Sequence, residues 1–297
     1  METPQPGQQQ KGMPSMKLPL EKIKNLEVRQ DDVFLLTYPK SGTHWLMEML
    51  PRIVNGGDTS STISFERQVL PIEFIIAGEG DNPMLLHIKS KYGVPDGFSF
   101  EKMESPRLFC SHVNYQSLPA QLHEKKPKVI YLARNAKDVA VSQLNQMSKP
   151  PMNIPDDMSV FLENMFVTGA AMGGMGHWGT HVLEWWNKKE EDNVLYLKYE
   201  DLKKDLKTGV QQIAKFIGKD LSAEAVDKIV HHCTIDNMKK VVKDDPFQKA
   251  MGWKENPFVR KGKTGGWKEK LTVAQSEMMD KHCEEWLKGS GLKFDME

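Results

Sequence analysis

The run Val33-Phe34-Leu35-Leu36-Thr37-Tyr38 carries no charge and no polar alternation, and it stops at Pro39. A strand that is apolar on both sides must be covered on both faces, which is the condition of a parallel sheet lying between helices. From Thr43 the period changes. Trp45, Leu46, Met49, Leu50 and Ile53 recur at helical intervals, with Pro51 expected to kink or end the helix by removing a backbone donor. The same alternation returns along the chain. Leu108–Ser111 is a short strand, and Val129–Ala133 a stronger one before a helix through Val139, Val141, Leu144 and Met147. Val194–Leu197 then leads into a helix expected from Asp201 to Phe216. Strand then helix, repeated, predicts a single α/β domain with a central parallel β-sheet flanked by helices. No composition break or internal repeat in the 297 residues marks a second domain. Residues 1–19, rich in Gln, Pro and Gly, read as a disordered arm before a domain spanning 20–297. Lys149–Asp157 and Glu255–Trp267 read as long loops.

Between the first strand and its helix lies Tyr38-Pro39-Lys40-Ser41-Gly42-Thr43-His44-Trp45. A tight turn entering a helix aims successive backbone N–H groups into one hollow, and the helix dipole adds positive potential there. Gly42 permits unusual backbone angles, Lys40 brings a charge, and Ser41 and Thr43 bring hydroxyls. An isolated K-S-G-T is usually a helix cap beside a surface lysine. The buried-type strand before it and the amphipathic helix after it favour a P-loop-like anion site. It is not a Walker A loop, and the only G-K-T, Gly262-Lys263-Thr264, has Pro257 where the first glycine belongs. An ordinary ATPase or kinase is therefore disfavoured.

Charge supports a small anionic ligand. Forty Lys and Arg balance 40 Asp and Glu, which argues against a chain that coats nucleic acid or an anionic membrane. Yet Lys254 to Lys270 holds six basic and two acidic residues, with Gly262, Gly265 and Gly266 allowing close backbone approach. By residue type alone such a charge run is more often a solvated loop. Arg134, at a strand end, and Ser142, on the helix after it, suit a phosphate, or else a surface pair with Asp138.

These segments resemble the cytosolic sulfotransferases. The likeness is carried by Y-P-K-S-G-T-x-W, then Y-L-A-R-N-A-K-D-V-A-V-S (131–142), E-W-W (184–186), L-Y-L-K-Y-E-D (195–201) and F-V-R-K-G-K-T-G-G-W-K (258–268), in family order. It implies transfer of a sulfonate group from 3′-phosphoadenylyl sulfate (PAPS), without a metal, to a small phenol, alcohol, sterol or amine. Under it, Lys40, Ser41, Gly42, Thr43 and His44 hold the 5′-phosphosulfate, while Arg134, Ser142, Arg260, Lys261 and Gly262 hold the 3′-phosphate. Trp45, Tyr199, Thr234, Ile235 and Met238 surround the adenine. His112 is the general base and Lys40 neutralises the departing diphosphate. Lys268, Thr272, Val273 and Glu277 match the family's dimerisation motif, implying a homodimer.

Three positions depart from the family pattern: Cys110 for lysine, His44 for threonine and Ile235 for an aromatic. They keep open a weakly active or inactive nucleotide-binding regulator, and a nucleotide phosphotransferase is a more distant alternative. Cys110, Cys233 and Cys283 show no C-x-x-C spacing, no run approaches a membrane span, and no secretory signal opens the chain, so a cytoplasmic protein is expected. His177 and His181 share a helix face without a third ligand nearby, and a packed or solvated pair is expected. Phe74, Met84, Phe161 and the Met172–Gly176 stretch are candidates for an apolar acceptor pocket.

Overall fold

The computed structural model describes residues 18–59, 63, 67–77, 93, 94, 98–150, 152–170, 175–243, 248 and 252–296. Residues 1–17 of the expected arm, Met84, Met172–Gly174 and the Phe74 side chain lie outside the described residues.

Among the described residues five parallel strands form one sheet in the order β2-β3-β1-β4-β5. They are β1 (Val33–Thr37), β2 (Leu70–Pro71), β3 (Leu108–Ser111), β4 (Lys128–Ala133) and β5 (Val194–Lys198). Among the described residues seven helices exceed two turns: α1 (Thr43–Val54), α2 (Ala136–Met147), α3 (Trp178–Trp186), α4 (Leu206–Phe216), α5 (Ala223–His232), α6 (Ile235–Val242) and α7 (Val273–Trp286).

Every residue of β1 is buried, as its unbroken apolar run requires. Its side chains alternate between two cores. Val33 and Leu35 pack with Leu50, Ile53, Ile213 and Ile229 of α1, α4 and α5. Phe34 and Leu36 pack with Val139, Leu144, Trp178, Trp185 and Met279 of α2, α3 and α7. At the sheet's amino edge the buried Arg107 and Asp32 form an ion pair at 2.6 Å, joining the entries of β3 and β1.

Two local expectations are corrected. Of the two outcomes expected at Pro51, ending the helix is ruled out: α1 continues to Val54, because Pro51 and Ile53 are both buried and their packing outweighs one lost backbone bond. The helix expected from Asp201 to Phe216 is two: a turn over Tyr199–Lys204, then α4. Asp205 divides them, since its carboxylate accepts the Thr208 N–H at 3.0 Å and so starts a new helix.

Because the chain leaves β1 toward β2 and β3 but leaves β4 toward β5, the loops after β1 and β4 diverge and open a crevice at the strands' carboxyl ends.

Candidate active site

The loop after β1 is wound tightly. Lys40 has φ +73° and Gly42 φ +114°, the left-handed region that favours glycine. A Cβ at Gly42 would stand 2.8 Å from Tyr199 Cδ2 and 3.1 Å from Leu132 Cδ2. The loop is thus pressed against the ends of β4 and β5. One helical turn on, Trp45 donates its indole N–H to the Cys233 carbonyl at 2.8 Å and meets the Tyr199 ring edge-on at 5.4 Å. That bond brings the start of α6 to the same crevice.

Six cations and one carboxylate line the resulting cavity among the described residues: Lys40, Arg134, Lys203, Arg260, Lys261 and Lys263 against Asp138. Arg134 pairs with Asp138 at 3.3 Å, donates to the Lys263 carbonyl at 3.0 Å and lies over the Tyr199 ring at 4.3 Å. The two Asp138 oxygens each accept a backbone N–H of the late loop, from Gly265 and from Trp267, both at 3.0 Å. Asp138, in the first turn of α2, therefore fastens the 259–267 loop across the crevice.

Lys40 donates to the Pro257 carbonyl at 2.9 Å and stands 4.7 Å over the Phe258 ring. His44 stacks on that ring, 4.3 Å between centroids. Burial lowers the Lys40 pKa to about 7, with Arg260, Arg134 and Lys149 adding repulsion. Burial and Arg134 likewise lower Arg260 and Lys203. Lys261 and Lys263 both pair with Glu269. Beneath the loop, Ser41 Oγ is buried with no partner among the described residues, as is Arg134 Nε.

His112 follows β3. Its Nδ1 lies 2.9 Å from the Thr37 carbonyl, which can only accept, so Nδ1 carries the proton and Nε2 the lone pair. Thr37 Oγ1 is 3.0 Å from the same nitrogen and 2.7 Å from Thr43 Oγ1, so a hydroxyl pair links the histidine to the loop at Lys40. The His112 N–H is held by the buried Glu73 carboxylate at 2.8 Å.

Of the residues singled out in the sequence, Lys40, Gly42, Thr43, His44, Trp45, His112, Arg134, Ser142, Tyr199, Ile235, Met238, Arg260, Lys261 and Gly262 line this one cavity. Ser41 lies buried below it. Thr234 is exposed outside the lining, its hydroxyl on the His231 carbonyl at 3.0 Å. Phe161 is buried in the core against Phe166, whereas Met175 lines the cavity. Cys110 is buried 3.8 Å from the Met47 sulfur; burial and Glu73 hold its thiol well above the usual range, so it supplies no charge. His177 and His181 go to different partners, His177 capping α3 through the Gly179 N–H and His181 bonding Tyr131. The sequence reading missed Lys203, Glu73 and the loop-fastening role of Asp138. Lys203 had a local signal, standing one helical turn after Tyr199; Glu73 had none.

A family model for the sulfotransferase domain matches residues 30–291. The chain belongs to the sulfotransferase family. It is 37% identical over 282 residues to rat sulfotransferase 1 family member D1, covering 93% of this chain and 90% of that one. Rabbit amine sulfotransferase is 36% identical over 283 residues, covering 93% and 87%. The fold matches that of mouse sulfotransferase SULT7A1 complexed with PAP, with TM-score 0.72, 29% identity and 93% and 92% coverage. Retinol dehydratase, solved with retinol and PAP, shares the fold at TM-score 0.75 and 23% identity, covering 93% and 88%. Family membership makes this sulfotransferase a PAPS-dependent enzyme. Its own residues fit that co-substrate: a cationic cavity, a glycine turn that a Cβ would block, and, at Ser41 Oγ and Arg134 Nε, buried donor atoms without partners among the described residues. Among the described residues no helix is long and apolar enough to cross a membrane.

Proposed function

We propose that this sulfotransferase moves the sulfonate of PAPS to a hydroxyl or amine of a small lipophilic acceptor, with His112 as general base. One observation carries this reading: in the cavity that holds Lys40, the bond to the Thr37 carbonyl leaves His112 Nε2 as the proton-accepting nitrogen. His112 Nε2 takes the acceptor's proton as its oxygen or nitrogen attacks sulfur in line, by analogy with phosphoryl transfer. Lys40, near neutrality in pKa, is poised to gain a proton and stabilise charge on the leaving diphosphate. The loop amides with Ser41 and Thr43 receive the 5′ group, and Arg134, Ser142, Arg260, Lys261 and Gly262 receive the 3′-phosphate. Trp45, Tyr199, Ile235 and Met238 enclose the base, with Thr234 at the rim. With Cys110 neutral, the cationic work at sulfur rests on Lys40.

The domain spans 20–297, and the protein is a cytoplasmic homodimer joined through Lys268, Thr272, Val273 and Glu277. A 76% exposed Val273 at the start of α7 supports that interface. The acceptor class rests on relatives, amine sulfotransferase among them.

The test is His112→Ala assayed with labelled PAPS on a panel of phenols, alcohols, sterols and amines. Transfer is expected to disappear while calorimetry still shows PAP binding; persisting turnover would remove His112 as the base. Equal binding of ATP and PAP would overturn the cofactor assignment.

A further inference from the structure

A second histidine meets the first behind the cavity. His181, on α3, is 1% exposed, and both of its ring nitrogens are bonded. Its Nε2 lies 3.2 Å from the His112 carbonyl. A carbonyl can only accept, so Nε2 carries the proton and Nδ1 the lone pair. Facing that lone pair is the Tyr131 hydroxyl of β4 at 2.8 Å, which also lies 3.2 Å from the His181 carbonyl. Three elements thus converge on His181: the Tyr131 hydroxyl faces both its Nδ1 and its carbonyl, and its Nε2–H donates to the His112 carbonyl.

Among the described residues, the titratable groups packed against His181 are Tyr131, Tyr38, with its ring edge-on at 5.5 Å, and His112 itself. None is a carboxylate, and burial drives the His181 pKa down to about 4, so the ring stays neutral through the physiological range. A neutral ring keeps one donor and one acceptor, which is what two fixed partners of opposite type demand.

We propose that His181 is a positioning residue for the general base, holding His112 through its backbone carbonyl. The inference rests on the reading of His112 as base. His112 is then anchored three ways: N–H on Glu73, C=O on His181, and Nδ1–H on the Thr37 carbonyl. The first two fix the backbone on either side of the Cα, and the third fixes the ring plane and tautomer. Nε2 is left aimed at the cavity with little torsional freedom. Removing the His181 bond releases the residue's ψ angle and lets the ring drift. A displacement near 1 Å at a reacting group costs up to about 100-fold in rate.

The test uses His181→Phe, which keeps ring volume but not the hydrogen bonds, His181→Gln, which restores a donor to the carbonyl, and Tyr131→Phe. His181→Phe is expected to lower kcat by about 10- to 100-fold, with KM for PAPS and calorimetric PAP affinity unchanged. His181→Gln should recover most of that loss, and Tyr131→Phe should fall between. Long-range 1H–15N spectra of the unliganded chain should show His112 as the Nδ1–H tautomer in the natural protein and as a mixture in His181→Phe. Unchanged kcat and unchanged His112 resonances in His181→Phe would overturn the proposal, as would a Gln variant no better than Phe. Should His181→Phe fail to fold, His181→Gln and Tyr131→Phe decide it through the same spectra. Because those spectra need no turnover, they report on His181 even if His112→Ala shows that the base lies elsewhere.

Discussion

Lys40 shows how much one side chain owes to its surroundings. In the sequence it is a lysine in a glycine turn. In the fold it is buried among Arg134, Arg260 and Lys149 and titrates near 7 rather than at 10.5. Above that pH the unliganded side chain is largely neutral, and an anion placed beside it favours the ammonium and raises the pKa. Binding of PAP above pH 7 should therefore take up a proton, and binding below pH 6 should take up little, since the side chain is already charged. Calorimetry at pH 8 in buffers of different ionisation enthalpy measures the uptake, which Lys40→Met should remove. The same uptake in the variant would show that another group carries the proton.

At the scale of elements, the crevice exists because pieces far apart in the chain are fastened together. Asp138 does this for α2 and the late loop, accepting the Gly265 and Trp267 amides while pairing with Arg134. Asp138→Ala breaks a nearly buried pair and frees two loop amides, so stability should fall by about 3 kcal/mol. Trypsin should also cut faster after Arg260 to Lys263 in the unliganded chain, and an unchanged cleavage rate would show that the loop is held by other contacts. How legible an element was in the sequence depended on its length. Thr43–Val54 announced itself through five apolar positions at helical spacing. Two-residue β2, Leu70–Pro71, is too short to show any period, and only pairing with Phe109 and Cys110 defines it. The break at Asp205 was missed because periodicity runs across it while a capping carboxylate interrupts the backbone.

The whole molecule separates stability from chemistry along the strand direction. Arg107 and Asp32 are fully buried at the amino edge, and Arg107 also donates to the carbonyls of Phe100 and Glu27. Arg107→Met should cost about 3–5 kcal/mol in urea unfolding by leaving a buried carboxylate unpaired. PAP affinity of the folded protein should stay unchanged, because the site lies at the opposite, carboxyl edge. At the surface, Val273 stands 76% exposed beside the cap formed by Thr272 and Gln275. On the proposed homodimer, Val273→Glu should give a monomer in light scattering with no loss of helix content; a variant that stays dimeric would place the interface elsewhere.

The sequence by itself determined the fold class and the chemical inventory. Both are local matters: an apolar run is buried wherever it goes, and Lys40-Ser41-Gly42-Thr43 forms its loop between the strand and helix that flank it. Tertiary structure decided the state of that inventory. The proton sits on His112 Nδ1 because Thr37, 75 residues away in sequence, offers a carbonyl. Lys40 meets the Pro257 carbonyl across 217 residues, and burial among distant cations sets its charge. Protonation and tautomer depend on dielectric and on partners a few ångströms away, and only packing brings those together.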